Sequence, residues 1–209
     1  MRLVSAIWAE FHPFDTLPFI DDCAAVREPA DLETGDILVL HGGEDISPAL
    51  YNKGRSSLSG ADNTPSKRDR IEWGLIGRAV SLNIPIIGIC RGAQMLCAYN
   101  GGYLIQHVNN HGRTHTVETS DGEIIRVNSL HHQMMHPGKT NHKLLAWSEH
   151  KLSDVYYDED TNVNVDVEPE YIYFPDIKGF AIQWHPEMMD GAAQATTYLK
   201  QHITSTLNV

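Results

Sequence analysis

The chain has 209 residues, 42% of them hydrophobic, and a formal net charge of −11 at pH 7. This length suits a substantial core, so we predict one domain over residues 1–209. Because the net charge is strongly negative, we predict that neither nucleic acid nor an anionic membrane surface is a partner. No segment approaches the ~20 apolar residues of a membrane span, and the cysteines lack paired spacing, which predicts a reducing, cytoplasmic setting without disulfides.

Short apolar runs alternate with helical stretches from the N-terminus onward, which predicts an α/β fold with a mostly parallel sheet. We predict a first strand from Leu3 to Trp8 and a second from Asp36 to Leu40. Between them, the stretch from Leu17 to Val26 is weakly helical in pattern.

A loop and then a helix should follow the second strand. Residues 51–64 are rich in Gly, Ser and Asn, which favours a surface loop near the active site. Pro65 suits the first position of a helix and Thr64 suits its cap. Apolar residues at near-helical spacing continue this helix until just before Asn83.

The apolar run from Pro85 to Ile89 ends in a Gly-x-Cys-x-Gly sequence centred on Cys90. A helix-compatible stretch follows at once, and a strand, sharp turn and helix in succession are the pattern of a nucleophile elbow. Gly88 and Gly92 leave space where the strand and helix cross. The turn would place the Cys90 thiol at a helix N-terminus, which favours the nucleophilic thiolate. A buried structural cysteine is the alternative.

A second polar motif ends an apolar run near the C-terminus. There, Gly179 to Ile182 precede Gln-Trp-His-Pro-Glu, so His185 and Glu187 should emerge at a strand end. His185 could accept the thiol proton, and Glu187 could orient the imidazole. A His-Pro-Glu string alone is often a surface turn, but with the cysteine elbow it predicts a Cys-His-Glu triad.

The segments between the two motifs are less regular. Residues 117–128 and 171–182 carry β-branched and aromatic side chains, which predicts antiparallel strands at one edge of the sheet. Residues 154–170 are acidic and rich in turn formers, which predicts a solvated loop.

The twelve histidines raise the question of a metal site. His111 and His115 are four residues apart, but ligation by such a pair requires a helix, and Gly112 and Thr114 disfavour one. We therefore predict polar loop or strand positions for His111, His132 and His136, and neither a metal ion nor a cofactor.

The elbow with Gln94 four residues after the cysteine, together with Gln-Trp-His-Pro-Glu, resembles the class I glutamine amidotransferases. Two further segments, His41–Pro48 and Val127–Gln133, are similar to the γ-glutamyl-γ-aminobutyrate hydrolases, which are grouped as the C26 peptidases. The four motifs occur in the family's order between about residue 36 and residue 190. The resemblance implies a three-layer flavodoxin-like sandwich with a mostly parallel central sheet and a small antiparallel edge.

Members of this family attack a γ-glutamyl amide with their cysteine, pass through an oxyanion and hydrolyse a thioester. The resemblance implies that the backbone N–H groups of Gly43 and Arg91 form the oxyanion hole. It further implies that His115 lines the site. The residues implied to bind the glutamyl substrate are Gly42, Gln94, Ser129, Leu130 and His131.

The hydrolase branch usually carries an additional strand and helix before the Gly-Gly turn, and this chain compresses that region into residues 9–35. The pocket for the leaving amine is therefore expected to differ. We predict a free-standing hydrolase of glutamine or another γ-glutamylamine. One alternative is a glutaminase subunit that delivers ammonia to a separate synthetase, and another is a non-catalytic or metal-binding protein on the same fold. A homodimer is left open.

Overall fold

The computed structural model describes residues 1–6 and 11–208, which contain fourteen strands and three α-helices. The strands are β1 (Arg2–Ser5), β2 (Asp22–Ala25), β3 (Asp36–Leu40), β4 (Ile86–Ile89), β5 (Tyr103–Ile105), β6 (His107–Val108), β7 (His115–Thr119), β8 (Ile124–Val127), β9 (Met134–His136), β10 (Lys143–Ser148), β11 (Tyr156–Asp158), β12 (Thr161–Asn162), β13 (Pro169–Phe174) and β14 (Gly179–Ile182). The helices are α1 (Lys67–Ser81), α2 (Arg91–Tyr99) and α3 (Gln194–Leu207). None of these helices is both long and apolar enough to cross a membrane.

Nine strands form the central sheet in the order β2-β1-β3-β4-β14-β13-β10-β7-β8. The first five are parallel to their neighbours, and the remaining four extend the sheet in antiparallel fashion. The parallel half has the flavodoxin-like order, in which the first strand lies between the second and third. The predicted α/β fold with a flavodoxin-like sheet and antiparallel edge is therefore confirmed. Smaller sheets join β12-β11-β6 and β5-β9.

The parallel strands β1, β3, β4 and β14 are buried on both faces, so the structure has three layers. On β3, Leu38 and Leu40 belong to an apolar cluster that includes residues of α1 and α2. Ile37 and Val39, which alternate with them, belong to a second cluster that includes residues of α3. Because successive strand residues point to opposite faces, one apolar run serves both cores.

The region before β3 departs from its prediction. Within the described residues, the first strand ends at Ser5, while Ile7 and Trp8 lie outside them. The weakly helical interpretation of residues 17–26 is wrong, because Asp22–Ala25 pairs in parallel with β1 as an edge strand. Pro18 restricts helix formation just ahead of this strand. Apart from β2, the regular structure between residues 11 and 35 consists of short 3-10 turns.

The start of α1 and the acidic segment also differ from expectation. Ser66, rather than Thr64, caps α1, because its side chain and that of Asp69 form a reciprocal capping box. The predicted loop at residues 154–170 contains β11 and β12, and Glu168 and Glu170 within it are buried. The antiparallel strands predicted around residues 117–128 and 171–182 are present as β7, β8, β13 and β14.

Candidate active site

The Cys90 elbow lies between β4 and α2. Cys90 has φ of 49° and ψ of −102°, an unusual conformation for a residue other than glycine. A Cβ at Gly88 would lie 2.5 Å from the backbone of Gly92, and one at Gly92 would collide with the Leu40 carbonyl. Both glycines therefore let β3, β4 and α2 approach closely enough to make this sharp turn.

Sheet pairing brings the second motif to the elbow. Strand β14 is parallel to β4, with Ile182 opposite Ile89, and the Cys90 N–H donates to the Ile182 carbonyl at 2.7 Å. Both chains therefore leave the sheet at the same edge, where α/β folds place their ligands. Gln183 also reaches the site, since its Nε2 donates to the Cys90 sulfur at 3.9 Å.

His185 is held between a carboxylate and the thiol. Its Nδ1 lies 2.7 Å from Oε1 of Glu187. Burial opposes the charged imidazolium, but the neighbouring Cys90 and Glu187 outweigh it and raise the pKa of His185 to about 10. Its Nε2 is buried and makes no well-directed hydrogen bond to any residue that the structure describes. That nitrogen is free to exchange a proton with the thiol or with a substrate.

The backbone of His185 is fixed by Asn128, which lies in the Val127–Gln133 motif and had no predicted role. Oδ1 of Asn128 accepts from the His185 N–H at 2.9 Å, and its Nδ2 donates to the His185 carbonyl at 2.8 Å. The side chain thus replaces a strand partner at the point where the sheet ends. Its position directly before Ser129 was the only sequence signal for this role.

The Gly42-Gly43 turn follows β3 and borders the same site. A Cβ at Gly42 would lie 2.8 Å from Cε1 of His185 and 3.6 Å from Cβ of Cys90. Gly43 has φ of 148°, and its α-carbon faces the guanidinium of Arg68. A side chain at Gly42 would displace His185, and one at Gly43 would displace this arginine.

Arg68 on α1 holds that turn through two hydrogen bonds. Its Nη2 donates to the carbonyls of His41 and Gly42 at 3.1 and 2.9 Å. Because a trans peptide holds its C=O and N–H in opposite directions, the Gly43 N–H points away from Arg68. No sequence pattern indicated this contact, since residue 68 is one of several charged residues at a helix start.

Buried charges connect this turn to the elbow helix. The Arg91 side chain is fully buried and forms ion pairs with Asp69 and Glu72 of α1. Glu72 also accepts from Nε of Arg68 at 3.0 Å. One carboxylate therefore joins the two arginines, and α1 sets the position of both the Gly42-Gly43 turn and the start of α2.

A cleft of about 440 Å³ opens over these groups. Cys90 is only 5% exposed and packs in an apolar cluster, but it also lines this cleft. Leu130 and Met188 stand at the cleft, each 66% exposed. The complete lining is His41, Gly42, Gly43, Cys90, Leu130, His185, Glu187 and Met188.

Three of the residues expected to bind substrate lie outside this lining. Gln94 is buried, and its Nε2 donates to the Gln133 carbonyl at 3.0 Å. The Ser129 hydroxyl donates to the carbonyl of His111. His131 points its Nε2 toward Glu170, 3.6 Å away. Of the segment from Ser129 to His131, Leu130 is the member that lines the cleft.

His111 lies in a loop, as predicted, but it is not a solvated loop residue. Its side chain is fully buried between Glu168 and Glu170, at 3.4 Å from each. His115 likewise contacts Glu170, at 3.2 Å, rather than the cleft lining. In contrast, His132 is 45% exposed and bonds to Asp45, as expected for a loop residue.

Comparison with known proteins agrees with this geometry. The Peptidase C26 family profile matches residues 16–123, which include the Gly42-Gly43 turn and the elbow. Protein NtpR of Enterococcus hirae is 30% identical over 198 residues, covering 83% of this chain and 76% of that protein. A Lactococcus lactis protein named for its likeness to glutamine amidotransferases is 28% identical over 173 residues, covering 73% of this chain and 66% of its own length.

A solved structure extends the fold comparison to almost the whole chain. The PurLQS structure from Thermotoga maritima matches with a TM-score of 0.60 at 14% identity. The match covers 99% of this chain and 98% of the other. At that identity the likeness shows the shared fold.

Proposed function

Because the chain belongs to the peptidase C26 family, we propose that it hydrolyses the amide bond of glutamine or of another γ-glutamylamine. Membership of this family makes it a hydrolase of the glutamine amidotransferase type. The γ-glutamyl substrate, the cysteine mechanism and the role of each residue are the substance of the proposal.

In the proposed reaction, the Cys90 thiolate attacks the γ-carbonyl carbon and forms a tetrahedral oxyanion. The His185 imidazolium then donates its proton to the leaving nitrogen, so the C–N bond breaks and an amine and a thioester result. Neutral His185 next takes a proton from water, whose oxygen attacks the thioester carbonyl. Collapse of this second oxyanion releases glutamate and returns the thiolate and the imidazolium.

The oxyanion needs backbone donors that are already in position. We assign these to the N–H groups of Gly43 and Arg91. Two observations support the assignment. The hydrogen bond from Arg68 to the Gly42 carbonyl turns the Gly43 N–H away from α1. Arg91 is the first residue of α2, where N–H groups lack intrahelical partners. Binding roles for Gly42, Gln94, Ser129, Leu130 and His131 remain predictions.

The observation that carries the proposal is the meeting of Cys90, His185 and Glu187 at the ends of two adjacent parallel strands. The test is a panel of amides incubated with the purified protein, with glutamate and amine release both measured. We expect release from γ-linked substrates such as glutamine and γ-glutamyl-γ-aminobutyrate. Asparagine and α-glutamyl amides should stay intact. Equal hydrolysis of α- and γ-linked amides would contradict the proposal.

The exposed apolar rim favours a second candidate function. Leu130 and Met188 are each 66% exposed at the cleft, as expected where another protein covers an active site. In that case the chain is a glutaminase subunit that passes ammonia to a synthetase. Glutaminase activity that is low alone and rises with a partner would favour this candidate. Full activity alone, with ammonia released into solution, would favour the free-standing hydrolase.

Replacement of Glu187 by glutamine should lower kcat/KM on the order of 10- to 100-fold, which is less than loss of the imidazole itself. The side-chain amide oxygen introduced at position 187 can still accept a hydrogen bond from Nδ1 of His185. The negative charge that stabilises the imidazolium is gone. Steady-state rates at pH 7 check this result. Asp190→Asn, an equivalent charge loss at an exposed residue nearby, should leave the rate unchanged.

Replacement of Arg68 by lysine should lower kcat by about 10- to 100-fold, part of the effect of losing an oxyanion donor. Lysine cannot bind both carbonyls and Glu72 at once, so the Gly43 peptide loses its fixed orientation. Because Arg68 acts on the transition state through Gly43, KM should change little. Arg70→Lys, an exposed position on the same helix, is the matched control. A rise in KM with unchanged kcat would argue against this positioning role.

A further inference from the structure

A cluster of buried histidines and carboxylates lies behind the active-site segment and has no part in the proposed reaction. The ligand atoms of His111, His131 and Glu170 all lie within 4.8 Å of one another. His115 lies outside that group, but its Nε2 approaches the same Glu170 oxygen at 3.2 Å. We propose that His111, His115, His131 and Glu170 form a structural zinc site.

The separations between these atoms fit a shared metal ion better than direct hydrogen bonds. Oε1 of Glu170 lies 3.4 Å from Nδ1 of His111, 3.2 Å from Nε2 of His115 and 3.6 Å from Nε2 of His131. Charge-assisted hydrogen bonds are shorter, at about 2.7–2.9 Å. Two ligands at about 2.0–2.1 Å from a tetrahedral zinc ion are about 3.3 Å apart. The three observed distances lie around that value.

Each histidine has a polar partner at its other ring nitrogen. Nε2 of His111 lies 3.4 Å from Glu168, Nδ1 of His115 lies 3.2 Å from the Arg113 carbonyl, and Nδ1 of His131 lies 2.9 Å from the Gln133 carbonyl. Metal-binding histidines characteristically donate this second N–H to a carbonyl or carboxylate, which fixes the ring and its tautomer. His115 and His131 meet that requirement, whereas Nε2 of His111 faces Glu168 without a well-directed hydrogen bond.

The contacts of His131 turn one of its nitrogen lone pairs toward Glu170. A carbonyl oxygen only accepts, so the proton of a neutral His131 lies on Nδ1, and its Nε2 lone pair faces the carboxylate. Neither oxygen of Glu170 has a well-directed donor among residues 1–6 and 11–208. A buried carboxylate facing nitrogen lone pairs is costly. A divalent cation between them satisfies the carboxylate and the nitrogens together.

The donor set points to zinc and to a structural role. Imidazole nitrogens with one carboxylate oxygen suit zinc, and four protein ligands leave no open position for substrate. A depression of about 370 Å³, lined in part by His111 and His131, gives access from the surface. His131 directly follows Leu130 of the cleft, so the metal would anchor the segment that carries Leu130 and Asn128.

The spacing of His111 and His115 argued against a metal because the two residues do not share a helix. In the structure they approach each other without one. His111 lies in a loop, His115 begins β7, and Glu170 reaches them from β13. The ligands converge through sheet and loop packing, which the spacing of two histidines does not reveal.

The test is metal analysis of the full chain, produced in zinc-supplemented medium without a polyhistidine tag. We expect about one zinc per chain in the wild type and in Cys90→Ala, whose site is intact whatever the fate of the proposed hydrolysis. Glu170→Gln and His111→Ala should each bind zinc at least 10-fold more weakly. His150→Ala, at a position with an 83% exposed side chain, should keep the metal.

A second measurement uses only the wild-type protein, so its result does not depend on whether the variants fold. Chelation of the wild type should lower its Tm, and added Zn²⁺ should restore it. The zinc X-ray absorption spectrum should show a four-coordinate nitrogen and oxygen shell with imidazole scattering. Wild-type protein that contains no zinc, and that binds none when the chelated form is titrated with Zn²⁺, would overturn the proposal.

Discussion

Cys90→Ala should abolish amide hydrolysis, with a loss on the order of 10⁴-fold or more in kcat. No other described side chain in the cleft lining offers a thiol, and without one the thioester route is closed. Alanine keeps the Cβ that packs in the elbow and adds no strain at the φ of 49° that Cys90 already adopts. The Tm should therefore stay close to that of the wild type while glutamate release disappears.

Cys23 provides the matched control for this variant. It is an exposed, free cysteine on the edge strand β2. Cys23→Ala removes a thiol of the same chain without touching the elbow, and we expect wild-type kinetics. Appreciable hydrolysis by Cys90→Ala, from a preparation free of host amidases, would exclude Cys90 as the nucleophile.

His185→Asn should have the second largest effect, a loss of about 10²- to 10⁴-fold in kcat/KM. Asparagine can occupy the space beside Glu187, but it can neither protonate the leaving amine nor deprotonate the attacking water. His150→Asn, at an exposed histidine, should leave turnover unchanged. If His185→Asn kept the wild-type rate, proton transfer would have to come from another group.

The pH dependence of His185 gives this variant a second readout. Its pKa rises from an ordinary 6.5 to about 10 in the folded protein. The imidazolium should therefore persist at neutral pH, and kcat/KM should fall as the pH rises through about 10. The same shift contributes stability that is complete below pH 6.5 and is lost as the pH rises through 10. His185→Asn should remove this part of the pH dependence of unfolding.

The meeting of Cys90, His185 and Glu187 was predictable because each of them is part of a local pattern with a known structural outcome. Cys90 follows a buried strand between two glycines, and His185 and Glu187 follow another. Parallel pairing of these two strands then brings both motifs to one edge. The sequence did not need to specify the distance between them, since the fold supplies it.

The residues that position the proposed triad were not predictable in the same way. Arg68 reaches Gly42 across 26 positions and Asn128 reaches His185 across 57. Side chains of this kind are interpreted as surface groups until tertiary contacts are known. Glu168 and Glu170 were assigned to a solvated loop for the same reason, because an acidic run normally stays in water. Here the histidines of three separate segments surround the two carboxylates.

The edge strand β2 was missed because it lacks the apolar alternation that identifies a strand. Three of its four residues are exposed, and its pairing with β1 depends on backbone hydrogen bonds. Patterns of burial therefore predicted the centre of the sheet better than its edge.

Labelling with an alkylating diazo ketone analogue of glutamine, followed by peptide mass spectrometry, is the most direct measurement of the central claim. We expect one irreversible adduct per chain, located on Cys90, that excess glutamine suppresses and that His185→Asn forms much more slowly. Cys23 should remain unmodified despite its exposure. An unmodified Cys90 in protein that still hydrolyses glutamine, or an adduct on Cys23 alone, would contradict the account.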